Sequence, residues 1–244
     1  MADDQITAPG AFGEAHPHAG LETVTFMLSG TMADKGGRLA EGDVEWMTAG
    51  SGIVHSEDAT VSAGLRLLQL WLVLPERQRT MEPRVQILRR EAMPVLRREG
   101  VTATVYSGRL EDAAAPTLNA VPVTLADIRL APGARYELAL PASHNGVLVV
   151  VDGTLAAGEA ATSLTVGAVG WTSPHPGDGA SALMLAAGRE GARVLLYSGE
   201  PQRIEVAARG PFIAGSKEEL DRLFAAYRRG GFPKAGNLRP AAPA

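Results

Sequence analysis

The sequence predicts an all-β chain: two copies of one barrel in tandem, followed by a C-terminal helix. Three observations carry that prediction. Short runs rich in β-branched and aromatic residues recur between Gly/Pro turns along most of the 244 residues. The runs also repeat in order, since TVTFMLSGTM around Gly30 resembles LVVVDGTL around Gly153, and EGDVEWMT around Gly42 resembles VGAVGWTS around Gly167, at offsets of 123 and 125 positions. A single capping box, Ser216-Lys217-Glu218-Glu219, precedes an apolar stripe of Leu220, Leu223, Phe224 and Tyr227 at helical spacing.

Taken in order, residues 1–13 contain Pro9, Gly10 and Gly13 and read as a loop. Leu21–Leu28 reads as a strand that stops at the Ser29-Gly30 turn, and Val44–Met47 begins another. Gly50 and Gly52 break the chain before Ile53-Val54-His55. The run LRLLQLWLVL, Leu65–Leu74, reads as a strand buried on both faces and ended by Pro75. Residues 75–100 are charged and carry Pro75, Pro83 and Pro94. They read as a solvated connector, in which Arg89-Arg90 and Arg97-Arg98 are offset by interspersed acids. Strands then resume as VTATVYSG, VPVTLADIRL, GVLVVVDG, SLTVGAVGWTS, SALMLAAG and ARVLLYSG. The helix ends on Arg228 and Arg229, which suit its negative pole, and on Gly230. The expected organisation is a metal-binding barrel over 1–80, a connector over 81–100, a metal-free barrel with the helix over 101–230, and a frayed tail over 231–244.

Composition narrows the class. A 45% hydrophobic content supplies a core that needs no staples, and the absence of cysteine excludes disulfides and thiolate ligands. A net charge of −4 without a long basic run gives no footprint for direct nucleic-acid binding. No apolar run reaches membrane-spanning length and the start is acidic and polar, so the expectation is a soluble, cytoplasmic protein.

The chemistry concentrates between Glu14 and Glu57, which holds three of the five histidines. His16 and His18 are two residues apart, as are His55 and Glu57, so on strands each pair points to one side. Two neighbouring strands then offer three imidazoles and a carboxylate to one point. Such a set suits iron, manganese, nickel, copper or zinc rather than calcium or an iron–sulfur cluster. The repeat tests the assignment: the positions matching His16 and His18 fall in Ala139–Ser143, and those matching His55 and Glu57 fall in Asp178–Ala182. The second copy keeps the scaffold without the ligands. His144 and His175 lack the paired spacing and read as surface or structural residues.

The runs His16-Pro17-His18-Ala19-Gly20-Leu21-Glu22-Thr23-Val24-Thr25, Gly42-Asp43-Val44-Glu45-Trp46-Met47-Thr48-Ala49-Gly50 and Gly52-Ile53-Val54-His55-Ser56-Glu57 resemble the pirin family, bicupins of the cupin superfamily. The resemblance continues through Glu82-Pro83, Gly199-Glu200-Pro201 and Gly210-Pro211-Phe212. It implies two cupin-type barrels and one metal, usually Fe2+, held by His16, His18, His55 and Glu57. It also places Glu22 behind the ligands, orienting a histidine. It implies quercetin 2,3-dioxygenase activity on a flavonol and dioxygen, with Glu57 as proton acceptor as well as ligand. Some pirins are instead non-enzymatic, iron- or redox-responsive partners of transcription factors or metabolic enzymes. Trp46 and Met47 stand either in the cavity wall or in the barrel packing. Compared with the family pattern, the lead before His16 and the Gly30–Gly42 hairpin are short, which implies an open barrel edge.

Overall fold

The computed structural model describes residues 1–7, 10–12, 14–34, 37–56, 59–61, 64–173 and 179–238. β-Strands are their main regular structure, with one α-helix, Lys217–Arg228, and short 3-10 turns. The chain divides into two compact units. One comprises Met1–Glu91, Leu118–Val121 and Gln202–Ala244, and the other Ala92–Thr117 and Pro122–Pro201.

The first unit is built on a five-stranded antiparallel sheet in the order Ala2–Ile6, Leu65–Val73, Leu21–Ser29, Val44–Thr48, Arg84–Leu88. Leu21, Met27, Met47, Leu65 and Leu67 on one face of this sheet are almost fully buried. They close two apolar clusters, one around Met27, Met32, Leu39, Leu65 and Leu67, the other around Leu21, Met47, Ala49, Ile53 and Val85. A separate two-stranded pair, His16–His18 with Ile53–His55, carries the histidines. In the second unit the core draws on alternate residues of five strands: Ala103 and Val105, Ala126 and Ile128, Leu138 and Leu140, Leu148 and Val150, Val194 and Leu196.

The repeat seen in the sequence is a repeat of hydrogen bonds. Met27 N–H donates to the Asp43 carbonyl (3.0 Å) and Gly42 N–H to the Met27 carbonyl (2.8 Å). At the offset positions, Val150 N–H donates to Ala168 (3.0 Å) and Gly167 N–H to Val150 (2.9 Å). Gly42 and Gly167 share the left-handed conformation this turn requires, at φ +85° and +82°. Val24 pairs with Trp46, and Val147 pairs with Trp171.

Several expectations are corrected. Residues 1–13 are not all loop: Ala2–Ile6 is an edge strand along Leu65–Val73, held by Asp3 accepting two bonds from Arg66 (3.0 and 2.7 Å). Its polar, half-exposed sequence hides it from a hydrophobicity reading. Leu65–Val73 is a strand, but it is not buried on both faces, and Trp71 is 40% exposed. The 75–100 connector contains two strands, Arg84–Leu88 and Val95–Arg98, because Val85, Gln86, Leu88 and Leu96 are buried among the charges. Its arginines are engaged by acids, Arg89 with Asp43 (2.7 Å) and Arg98 with Glu111 and Asp112. SALMLAAG and ARVLLYSG are one 20-residue strand, Ala180–Gly199. Arg135–Pro141 is a further strand, alternating exposed and buried at every residue.

The helix starts as its capping box predicts. Ser216 Oγ accepts from Glu219 N–H (3.2 Å), and Glu219 Oε2 reaches back to Gly215 N–H (2.6 Å). It ends with Gly230 at φ +71°, where Gly231 N–H donates to Ala226 (3.0 Å). The helix belongs with the first unit, not with the second barrel as the sequence suggested. Leu220 joins Ala19, Phe212, Ala214 and Phe232 in one apolar cluster. The tail is not frayed over 231–238 either. Phe232 is buried there, and Val54 N–H donates to the Pro233 carbonyl (2.8 Å). Residues 239–244 lie outside the described residues.

Phe232→Ala should therefore cost about 3–5 kcal/mol of stability, whereas Val166→Ala, at a side chain 53% exposed, should cost little. Denaturant unfolding of the two variants beside the wild type checks the contrast.

Candidate metal centre

His16-Pro17-His18 pairs antiparallel with Ile53-Val54-His55, in the register His16 to His55 and His18 to Ile53. Alternation puts His16, His18 and His55 on one face. The ring centroids lie 4.9 Å (His16–His18), 4.4 Å (His16–His55) and 5.0 Å (His18–His55) apart. One ligand nitrogen from each ring falls within 4.8 Å of the other two. Among the described residues, no other group of three or more His, Asp or Glu converges in this way.

His16 Nδ1 lies 2.7 Å from the Glu14 carbonyl, which can only accept, so Nδ1 carries a proton and Nε2 is the nitrogen left to face the cluster. That Nε2 is 2.9 Å from His55 Nε2. His18 is buried, and its Nδ1 has no hydrogen-bond partner among the described residues. The His18 ring faces those of His16 and His55, and one nitrogen from each of the three could hold a bound cation. Burial, and then the neighbouring His16, lower the His18 pKa to about 4. Burial, and then His16 and His18, lower that of His55 to about 3. Both rings are neutral at pH 7, the form that ligates a metal.

Glu57, the expected fourth ligand, lies outside the described residues. Glu22, expected to orient a histidine, does other work. Fully buried, its Oε1 accepts from Thr48 Oγ1 (2.7 Å) and Ala120 N–H (3.0 Å), and its Oε2 from Val121 N–H (3.0 Å). With Gln86, which bonds both the N–H and the carbonyl of Leu118 (2.9 and 2.8 Å), it seats the Leu118–Val121 segment in the first unit. Met47 packs with Leu21, Ile53 and Val85, and Trp46 is fully buried. In the second unit Arg135–Pro141 pairs with the Ala180–Ala186 stretch, and the residues at the offset positions include no histidine. His144 lies 3.4 Å from Ser198 Oγ, and His175 lies outside the described residues.

Trp71 was missed. It stands edge-to-face on His18, with centroids 5.0 Å apart and planes at 81°. Gln69 and Trp71 sit two apart in an otherwise apolar run, and that period was the available signal.

Two family models match this chain: Pirin over residues 1–72 and the Pirin C-terminal cupin domain over residues 125–233. The chain belongs to the pirin family. A pirin-like protein of Solanum lycopersicum is 32% identical, the alignment covering 96% of this chain and 82% of the relative. Homo sapiens Pirin is 30% identical, over 93% and 80%. A crystal structure of quercetin 2,3-dioxygenase from Acinetobacter baumannii superposes with a TM-score of 0.78 at 27% identity, over 95% of this chain and 83% of that one. The pirin fold is thus that of a bicupin, as the repeat indicated. No helix among the described residues is long and apolar enough to cross a membrane.

Two predictions follow from the burial of these groups. In the unfolded chain His18 and His55 titrate near 6.5, so below that pH the unfolded state binds protons that the folded pirin refuses until about 4 and about 3. The thermal midpoint of metal-free protein should fall as pH drops from 6.5 toward 4, and His55→Gln should flatten the fall. A level profile would contradict the burial. Glu22→Gln should lose about 1–3 kcal/mol, because an amide cannot accept at both oxygens, while metal content stays at the wild-type level.

Proposed function

We propose that this pirin is a metal-dependent dioxygenase that cleaves flavonols such as quercetin. In this reading one transition metal, iron(II) foremost, is held by His16, His18, His55 and Glu57. Manganese, nickel, copper and zinc suit the same donors. The observation that carries the proposal is the convergence of three imidazoles, two of them buried and neutral. The likeness to a structure named as a quercetin 2,3-dioxygenase supports the substrate class.

When bound, the metal supplies Lewis-acid and redox chemistry toward a hydroxylated substrate and dioxygen. The chain's own residues set up that chemistry. The Glu14 carbonyl engages His16 Nδ1 and so leaves Nε2 as the nitrogen available to a metal. Neutral His18 and His55 add no positive charge to a cation site. Glu57, two residues beyond His55, is assigned as fourth ligand and as acceptor of the flavonol hydroxyl proton.

Iron-loaded protein given quercetin in air should consume oxygen and release carbon monoxide. Glu57→Gln should cut turnover by about 10²-fold or more while retaining much of its metal. Loaded protein inert to flavonols would contradict the dioxygenase reading, and unchanged turnover in the variant would remove Glu57 as the base.

A further inference from the structure

The face of the first sheet that carries Trp71 is apolar at both ends and polar between them. Met27, Leu65 and Leu67 close one end, and Leu21, Met47 and Val85 the other. Between them two cross-strand pairs lie side by side, Thr23 with Trp71 and Thr25 with Gln69. Directly opposed residues of an antiparallel pair share a face, and the Trp71–His18 contact places this face beside the three imidazoles.

A chain of hydrogen bonds orders these side chains. Trp71 Nε1–H donates to Gln69 Oε1 (3.3 Å), and Gln69 Nε2–H donates to Thr25 Oγ1 (3.1 Å). That chain fixes the plane of an indole which nonetheless remains 40% exposed. Beside it, Thr23 Oγ1 is buried, the residue being 1% exposed, and has no hydrogen-bond partner among the described residues. A buried hydroxyl left unpaired is a cost that a bound ligand can remove. An aromatic face with an indole N–H already engaged suits the flat side of another ring.

We propose that Trp71 and Thr23, with Gln69 holding the indole, form the subsite that seats a planar oxygen-bearing aromatic ligand against the histidine cluster. The ring of the ligand stacks on Trp71, and an oxygen at its edge hydrogen-bonds Thr23 Oγ1. The proposal rests on the flavonol reading above and names the residues that would recognise such a substrate.

Calorimetric titration of quercetin into the iron(II)-loaded full chain, without oxygen, tests it. Iron content and thermal midpoint are measured on every sample. Trp71→Leu should weaken binding about tenfold or more, and Trp71→Phe should restore it to within about threefold. Thr23→Val should weaken binding about fivefold without lowering the thermal midpoint, because the isostere removes an unpaired group. All three should keep wild-type iron, and Trp171→Leu, at an indole 74% exposed in the other unit, should bind as wild type. If Trp71→Leu and Thr23→Val bind quercetin as tightly as wild type, the subsite is overturned and the flavonol reading stands. Loss of iron in Trp71→Leu also overturns it, making Trp71 a prop for His18. If iron-loaded wild type binds no quercetin, the flavonol reading fails and the subsite falls with it.

Discussion

The candidate site depends on a backbone clamp closed by the far end of the chain. Two paired strands of three residues each cannot hold three imidazoles in place by themselves. Phe212-Ile213 lies against Ala19-Gly20, with Ile213 N–H donating to the Ala19 carbonyl (3.0 Å). The approach is so close that a Cβ on Gly20 would sit 1.9 Å from the Ile213 carbonyl oxygen, and Gly20 itself is at φ +77°. On the other ligand strand, Phe232 fills the space a Cβ on Gly52 would need, and Pro233 accepts from Val54. Gly20 and Gly52 thus serve the histidines indirectly, by admitting the brace that fixes their strands.

The same physics explains how two copies of one scaffold diverged. The turn geometry and the Val–Trp register persist in both units. What changed is what the scaffold holds: the positions matching the histidines carry none in the second unit, where Tyr136, Leu138 and Leu140 join a continuous apolar core. In the first unit the face that carries Trp71 keeps a polar belt between two apolar clusters, at the cost of leaving Thr23 Oγ1 without a partner among the described residues. Trp46 and Trp171 show how far environment outweighs identity, since the first is fully buried and the second 74% exposed.

Much of this was legible in the sequence, and what was not has a common cause. Alternation placed His16 and His18 on one face and located the Leu21–Ser29 and Val44–Thr48 strands, because each is a local pattern. The capping box at Ser216 was legible for the same reason. Glu22 was misread because its partners Ala120 and Val121 lie 98 and 99 positions away. The Ala2–Ile6 strand was missed because its sequence is polar, and Arg84–Leu88 because its apolar residues sit within a charged stretch; the pairing of both is set by their neighbours. The helix was assigned to the wrong unit because its own stripe says that it docks, but not where.

The central claim is that the three convergent imidazoles, completed by Glu57, form a resident metal site. Elemental analysis of the purified chain beside His16→Ala tests it most directly. The account predicts near-stoichiometric transition metal in the wild type and its loss in a variant that stays folded. A wild type that takes up none of iron, manganese, nickel, copper or zinc on reloading, or a His16→Ala protein with full occupancy, would contradict it.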